Sequence, residues 1–107
     1  MPELLIVLST FPDEPAARQI GTTLVERNLA ACVNIVPAIT SIYRWEGKTH
    51  TDPEVLAIIK TTPARYQALE KDLADLHPYD TPEIVALPPA NSLPAYAAWV
   101  SSNTTPP

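Results

Sequence analysis

The sequence predicts an α+β domain in which two helices lie on one face of a four-stranded antiparallel sheet. This is the split β-α-β, or ferredoxin-like, arrangement. Three observations predict it. Apolar and amphipathic segments follow the order β-α-β-β-α-β-α. Residues Cys32–Thr61 form two long strand-like arms around a turn near Glu46-Gly47-Lys48. Each half of the chain also reads strand, helix, strand, and right-handed crossovers then give the strand order 4-1-3-2. A chain of 107 residues holds one domain, residues 1–107, with one modest core. Its ordered part is expected over about 4–101, with residues 102–107 fraying as a terminal tail.

The elements follow in order. Leu4–Thr10 is a short apolar run, as expected of a strand buried on both faces, and Phe11-Pro12 breaks it. Asp13 can cap a helix whose first turn holds Glu14 and Pro15, where acids and proline are favoured. That helix runs to about Asn28, with Ala17, Ile20 and Leu24 on its buried stripe. Pro37 cannot donate to a ladder, so the outgoing hairpin arm belongs on a sheet edge or carries a bulge. Thr62 and Pro63 start the second helix as cap and first residue. Tyr66, Leu69, Leu73 and Leu76 recur at helical spacing along it. His77-Pro78 ends it, because the residue before proline avoids helical angles. Glu83–Leu87 is the fourth strand, and Leu93–Ser101 is a short C-terminal helix holding Tyr96 and Trp99.

The hairpin sets the first functional expectation. At about 3.3 Å per residue, Cys32–Trp45 spans roughly 45 Å, whereas a compact chain of this length has a radius of gyration of about 13 Å. The hairpin therefore outruns its own domain. Its tip carries Ile42, Tyr43 and Trp45, which are costly to leave in water. Self-association through these residues is the simplest remedy.

Composition excludes several classes. The net charge is −5, with twelve acids against seven scattered Lys and Arg. That argues against nucleic acid and anionic membrane surfaces as partners. One cysteine permits no internal disulfide and suits a reducing cytoplasm. The start MPELLIVLST lacks a basic n-region and reads as a strand rather than a signal peptide or membrane span. Two glycines cannot build a glycine-rich phosphate cradle. No nucleophile–base pair and no cofactor motif is visible, so an enzyme is disfavoured.

The topology gathers polar residues at one end of the sheet. Ser9, Thr10, Asp13, Glu14, Asp75, His77, Asp80 and Glu83 fall there, with Asp52 and Glu54 on the projecting return arm. Oxygen donors with an imidazole suit a divalent cation. Against this, Asp13 and Glu14 also suit a helix start, and Asp80 a turn. His50 lies in the polar stretch KTHTD and reads as exposed. Cys32 reads as a small buried hydrophobe with no sequence-near base or cation to activate it. Lys60 ends an apolar strand, so an internal partner for its amine is expected. Tyr43, Trp45 and Trp99 read as interface or core anchors rather than a ligand cage.

The segments AACVNIVP, TSIYRWEGK, LAIIKTT, LHPYDTPEIVALP and YAAWV, in that order and spacing, resemble the CutA family of divalent-cation tolerance proteins. The resemblance extends over Leu5–Val100. It implies a ferredoxin-like fold, a PII-like homotrimer whose hairpins reach across subunits, and, for bacterial members, a cytoplasmic protein linked to tolerance of copper and other divalent metals. It also implies metal positions. Some bacterial members bind copper through a cysteine ending the first strand and a histidine pair closing the second helix. Those positions here are Ser9 and Leu76-His77. A hydroxyl replaces a thiolate poorly for a soft metal, and Leu76 offers no donor. The expected site for copper(II) or zinc is therefore weak, built on His77 with Asp80 and Glu83 as helpers. The alternative function is a PII-like sensor of a small molecule or anion at subunit clefts, for which Lys60, Arg44 and Lys48 would matter.

Overall fold

The computed structural model describes residues 4–107; the expected domain start at residue 1 lies outside them. The elements are β1 (Leu5–Phe11), α1 (Glu14–Glu26), β2 (Cys32–Trp45), β3 (Lys48–Thr61), α2 (Pro63–Leu76), β4 (Val85–Leu87) and α3 (Pro94–Ser102). The sheet order is β2-β3-β1-β4, with every neighbouring pair antiparallel. This is the predicted order read from the other edge. The longest dimension is 43 Å and the radius of gyration 14.3 Å, so the hairpin stretches the molecule as its length required.

Local chemistry explains the borders. Asp13 accepts a hydrogen bond from Ala16 N at 2.8 Å, capping α1. Asn28 turns left-handed at φ 58°, and the amides of Leu29 and Ala30 close back onto Leu24 O. Thr62 occupies the cap position of α2, but its side chain makes no capping bond. Glu46 and Gly47 both have positive φ, 51° and 77°, the geometry of a two-residue hairpin turn that matches strand twist. Pro37 lies on edge strand β2, where the register shifts between Val36 and Ile39 and Ala38 takes φ 60°. The missing donor is thereby absorbed in a bulge. Gly21 of α1 packs on β2: a Cβ there would lie 3.2 Å from Val33 Cγ1.

Alternation allocates side chains to the two faces. Val7, Phe11, Val55, Ala57 and Ile59 face α1 and α2, meeting Ala17, Ile20, Leu24, Leu69 and Leu73 in the main core. Among the described residues the opposite face is covered only at one end, where α3 packs Ala97 and Val100 on Leu4, Ile6 and Ala31. Beyond α3, Leu8, Leu56 and Ile58 are half-buried, and Val36, Val85 and Leu87 are exposed.

Four expectations are corrected. β1 is buried on one face only, because α1 and α2 lie on a single side. It also continues through Phe11, which pairs with Val55 and enters the core. β4 is shorter than Glu83–Leu87, since pairing with β1 begins only at Val85. The tail does not fray from residue 102: α3 includes Ser102, and Thr104 is buried with its hydroxyl donating to Val100 O at 2.9 Å.

Thr61 ties the end of β3 to the segment entering β2, its buried hydroxyl donating to Leu29 O at 2.7 Å. Thr61→Val should cost about 1–3 kcal/mol, because it leaves that carbonyl without its partner. Denaturant midpoints of the two proteins check this.

Candidate functional site

Where the hairpin leaves the body, the open face of the sheet forms a cleft of about 710 Å³. Its walls include Thr10, Ser41, Tyr43, Glu54, Tyr79 and Glu83. The strand period places Asp52 and Glu54 on the same face as Leu56, but beyond the apolar part of β3. Tyr43 donates its hydroxyl to Asp52 at 2.5 Å, and Tyr79 donates to Glu54 at 2.6 Å. The bond to Asp52, more than burial, holds the Tyr43 phenol above its ordinary range. Burial, then the bond to Glu54, raises Tyr79 strongly. Both side chains are therefore protonated donors at neutral pH.

His77 fixes the loop that carries Tyr79. Its Nε2 lies 2.8 Å from Thr10 O, and its Nδ1 accepts from Tyr79 N at 3.1 Å. A carbonyl only accepts and an amide only donates, so this pairing requires the neutral ring protonated at Nε2. The ring stacks on Phe11 at 4.6 Å and is 8% exposed. Burial lowers its pKa below the usual 6.5, against smaller opposing effects of Thr10 O and Glu54.

The positions implied for a soft metal do not fit one. Ser9 is fully buried on the helix-facing side of β1, and its Oγ has no hydrogen-bond partner among the described residues. Leu76 is apolar and 37% exposed. Both His77 nitrogens are already engaged, so coordination at either would break a bond that holds the Tyr79 loop. In this structure His77 anchors the loop that carries Tyr79. Asp80 and Glu83 are exposed, and among the described residues no group of three or more His, Cys, Asp and Glu could hold a metal ion. Glu14 pairs with Arg18 and Asp75 with Lys71, which leaves them in surface roles.

The sequence reading missed the two phenol–carboxylate pairs, although strand parity already set Glu54 beside Leu56. It placed His50 in solvent, whereas the ring is half-buried and stacks on Tyr43 at 5.4 Å. At the other end of β3, Cys32 pairs in register with Lys60. Cys32 is half-buried rather than buried, and Lys60 Nζ lies 4.0 Å from its sulfur. Lys60 finds the expected internal partner in the amide oxygen of Asn34. Lys48 and Lys60 bound opposite ends of β3, roughly 40 Å apart along the strand, so one protomer cannot bring them to a common anion.

Because the folded pKa of His77 lies below its unfolded value near 6.5, the unfolded chain binds the proton more readily. Its contribution to stability is complete above pH 6.5 and is lost as pH falls toward the folded pKa. Denaturation midpoints at pH 7.5 and 5.5 should fall less on acidification for His77→Gln than for the parent. An equal fall would show that His77 does not titrate with unfolding.

The CutA1 divalent ion tolerance protein family model matches residues 5–103. The divalent-cation tolerance protein CutA of Thermus thermophilus is 50% identical over 99 residues, covering 92% of this chain and 96% of that protein. The protein CutA of Mus musculus is 45% identical over 95 residues, and the chain spans only 54% of its length. The solved structure of the Thermus thermophilus divalent cation tolerance protein superimposes with a TM-score of 0.92 at 49% identity, over 95% of this chain and 99% of that one. Names of other relatives include a chloroplastic CutA of Arabidopsis thaliana and a periplasmic one of Archaeoglobus fulgidus. With a match along nearly its whole length, the chain belongs to the CutA1 divalent ion tolerance protein family.

Proposed function

We propose that the protein works as a non-enzymatic homotrimer that contributes to tolerance of divalent metal ions, copper among them. One observation carries the assembly: an apolar field of Leu8, Leu56, Ile58, Val85 and Leu87 lies uncovered on the open face and runs toward the hairpin. The tip beyond it leaves Ile42 71% and Trp45 49% exposed. Three copies around one axis would bury the three fields together and give each tip a neighbouring subunit to lie on.

Metal binding by such an assembly is loose. Its support is the buried Ser9 and the doubly engaged His77, which remove the soft donors a tight copper site needs. Tolerance then depends on the assembled protein rather than on a resident copper ion. The cytoplasm is the proposed compartment, supported by the unpaired, half-buried thiol of Cys32. No helix among the described residues is long and apolar enough to cross a membrane. The PII-like anion reading gains no support, because the cleft walls carry carboxylates and the three cations it needs are dispersed.

Sedimentation equilibrium at micromolar concentration should give a trimer mass. Leu56→Glu should dissociate it, and Trp45→Ala should weaken it by about 2 kcal/mol or more if the ring is a central anchor. A folded monomer would refute the assembly. Calorimetric titration with copper(II) should give a Kd in the micromolar range or weaker, about 8 kcal/mol or less. A nanomolar Kd would overturn the reading of Ser9 and His77.

A further inference from the structure

We infer that Tyr79 is a strap: its phenol holds the root of the projecting hairpin and so fixes the direction in which the hairpin leaves the body. The inference rests on the trimer reading for its purpose, because a hairpin reaches a neighbouring subunit only along a fixed line.

The sheet alone leaves the hairpin unsupported. β1 ends at Phe11, whose partner on β3 is Val55. Beyond that pair, Lys48–Glu54 of β3 has only the Ile39–Trp45 part of β2 beside it in the sheet. This ribbon is roughly 23 Å long at about 3.3 Å per residue. A two-stranded ribbon is marginally stable by itself and twists more than strands inside a wider sheet. The bulge at Pro37-Ala38 lies at the same level, between the pairs Val36–Leu56 and Ile39–Glu54. A bulge bends its strand. The ribbon therefore has a bend at its root, where the support of β1 stops.

One polar tie crosses from the ribbon to the body. Among the described residues its side-chain hydrogen bonds are Tyr43 to Asp52, Arg44 to Gly47 O, and Tyr79 to Glu54. The first two stay inside the ribbon, and no ion pair reaches it. Only the 2.6 Å bond from Tyr79 to Glu54 leaves it, and Glu54 is the first residue of β3 past the end of β1. The strap thus acts at the bend.

The other end of the strap is anchored. Among the described residues, positions 78–83 make no hydrogen bond between main-chain groups, so side chains hold this loop. Tyr79 N donates to His77 Nδ1, and His77 Nε2 lies 2.8 Å from Thr10 O. The rings of His77 and Tyr79 lie 4.9 Å apart, and His77 stacks on Phe11. Ile84 packs against the main core and holds the loop's far end. A continuous series of contacts therefore runs from Glu54 through Tyr79 and His77 to the end of β1.

Hydrogen exchange on the intact protein tests this. Tyr79→Phe keeps the ring and removes the bond. Amides of Ile39–Trp45 and Lys48–Glu54 should then exchange about tenfold faster or more, as the loss of a hydrogen bond to a carboxylate implies. Those of Leu69 and Leu73 in the core should not change. Glu54→Val should do the same, and the double variant should add nothing further, because both changes remove one bond. Three results would each overturn the inference: hairpin protection unchanged in Tyr79→Phe, an equal acceleration at Leu69 and Leu73, or additive effects in the double variant. Sedimentation of the same samples separates this from the assembly reading. A monomer whose hairpin loosens only on losing the phenol keeps the strap and removes the trimer. A trimer whose hairpin ignores the loss does the reverse.

Discussion

β3 is the strand on which the molecule is built. One edge pairs with all of β1 and the other with β2 along its length. Its alternation therefore decides what every neighbour faces. Val55, Ala57, Ile59 and Thr61 point to the helices and are buried, while Leu56, Ile58 and Lys60 point away and are half-buried. A shift of one residue in either register would exchange these sets. Devices around β3 hold the register: the two-residue turn at Glu46-Gly47, the bulge at Pro37-Ala38 and the Thr61 bond to Leu29. The bulge lies on the edge strand, where a lost donor disturbs one ladder only.

The same alternation produces the chemistry of the open face. Along its near half β3 presents Leu56 and Ile58, and along its far half Glu54 and Asp52. The apolar part asks for protein to cover it, and the acidic part does not. His77 links the two faces. Its ring stacks on Phe11 of the main core while its nitrogens hold Thr10 and Tyr79. A packing residue on the helix side thereby sets the position of a phenol on the cleft side. Protonating the ring would put a second donor against the Tyr79 amide, so the loop's order depends on a neutral imidazole.

Much of the fold was legible because it rests on local rules. The hairpin turn, the Pro37 bulge, the Asp13 cap and the stripe through Leu69 and Leu73 each follow from a few adjacent residues. The errors arose where distant segments decide. Phe11 looked like part of a break because Pro12 follows it, yet its pairing with Val55 keeps it in the sheet. Thr104 is the local exception: it looked like tail, but its hydroxyl returns one helical turn to Val100 O and the residue is buried. The polar end of the sheet was read as an edge for a cation, and the structure adds hydrogen bonds there that spacing does not announce. Sequence order could bring His77 near Thr10; it could not show that Tyr79 N would consume the remaining nitrogen. The Tyr79–Glu54 and Tyr43–Asp52 pairs depend on side-chain reach across the face, which spacing does not encode.

Ser9 shows how the loss of soft donors and the loss of access arise together. A thiol at a fully buried strand position behaves as a small hydrophobe with a weak donor, and it tolerates the absence of a partner. The Ser9 hydroxyl is as buried and has no partner among the described residues, an arrangement that carries a desolvation cost of about 1–3 kcal/mol. That cost is not offset by coordination, because the oxygen lies on the helix-facing side of β1, whereas the cleft opens on the other. Phe11 and His77 fill the space next along the same face. The carboxylates of the cleft, Glu54, Asp80 and Glu83, lie away from Ser9, on the side where the cleft opens. The uncovered polar groups of the cleft, oxygen donors and phenols together, therefore lie on the open face of the sheet and not at the end of β1.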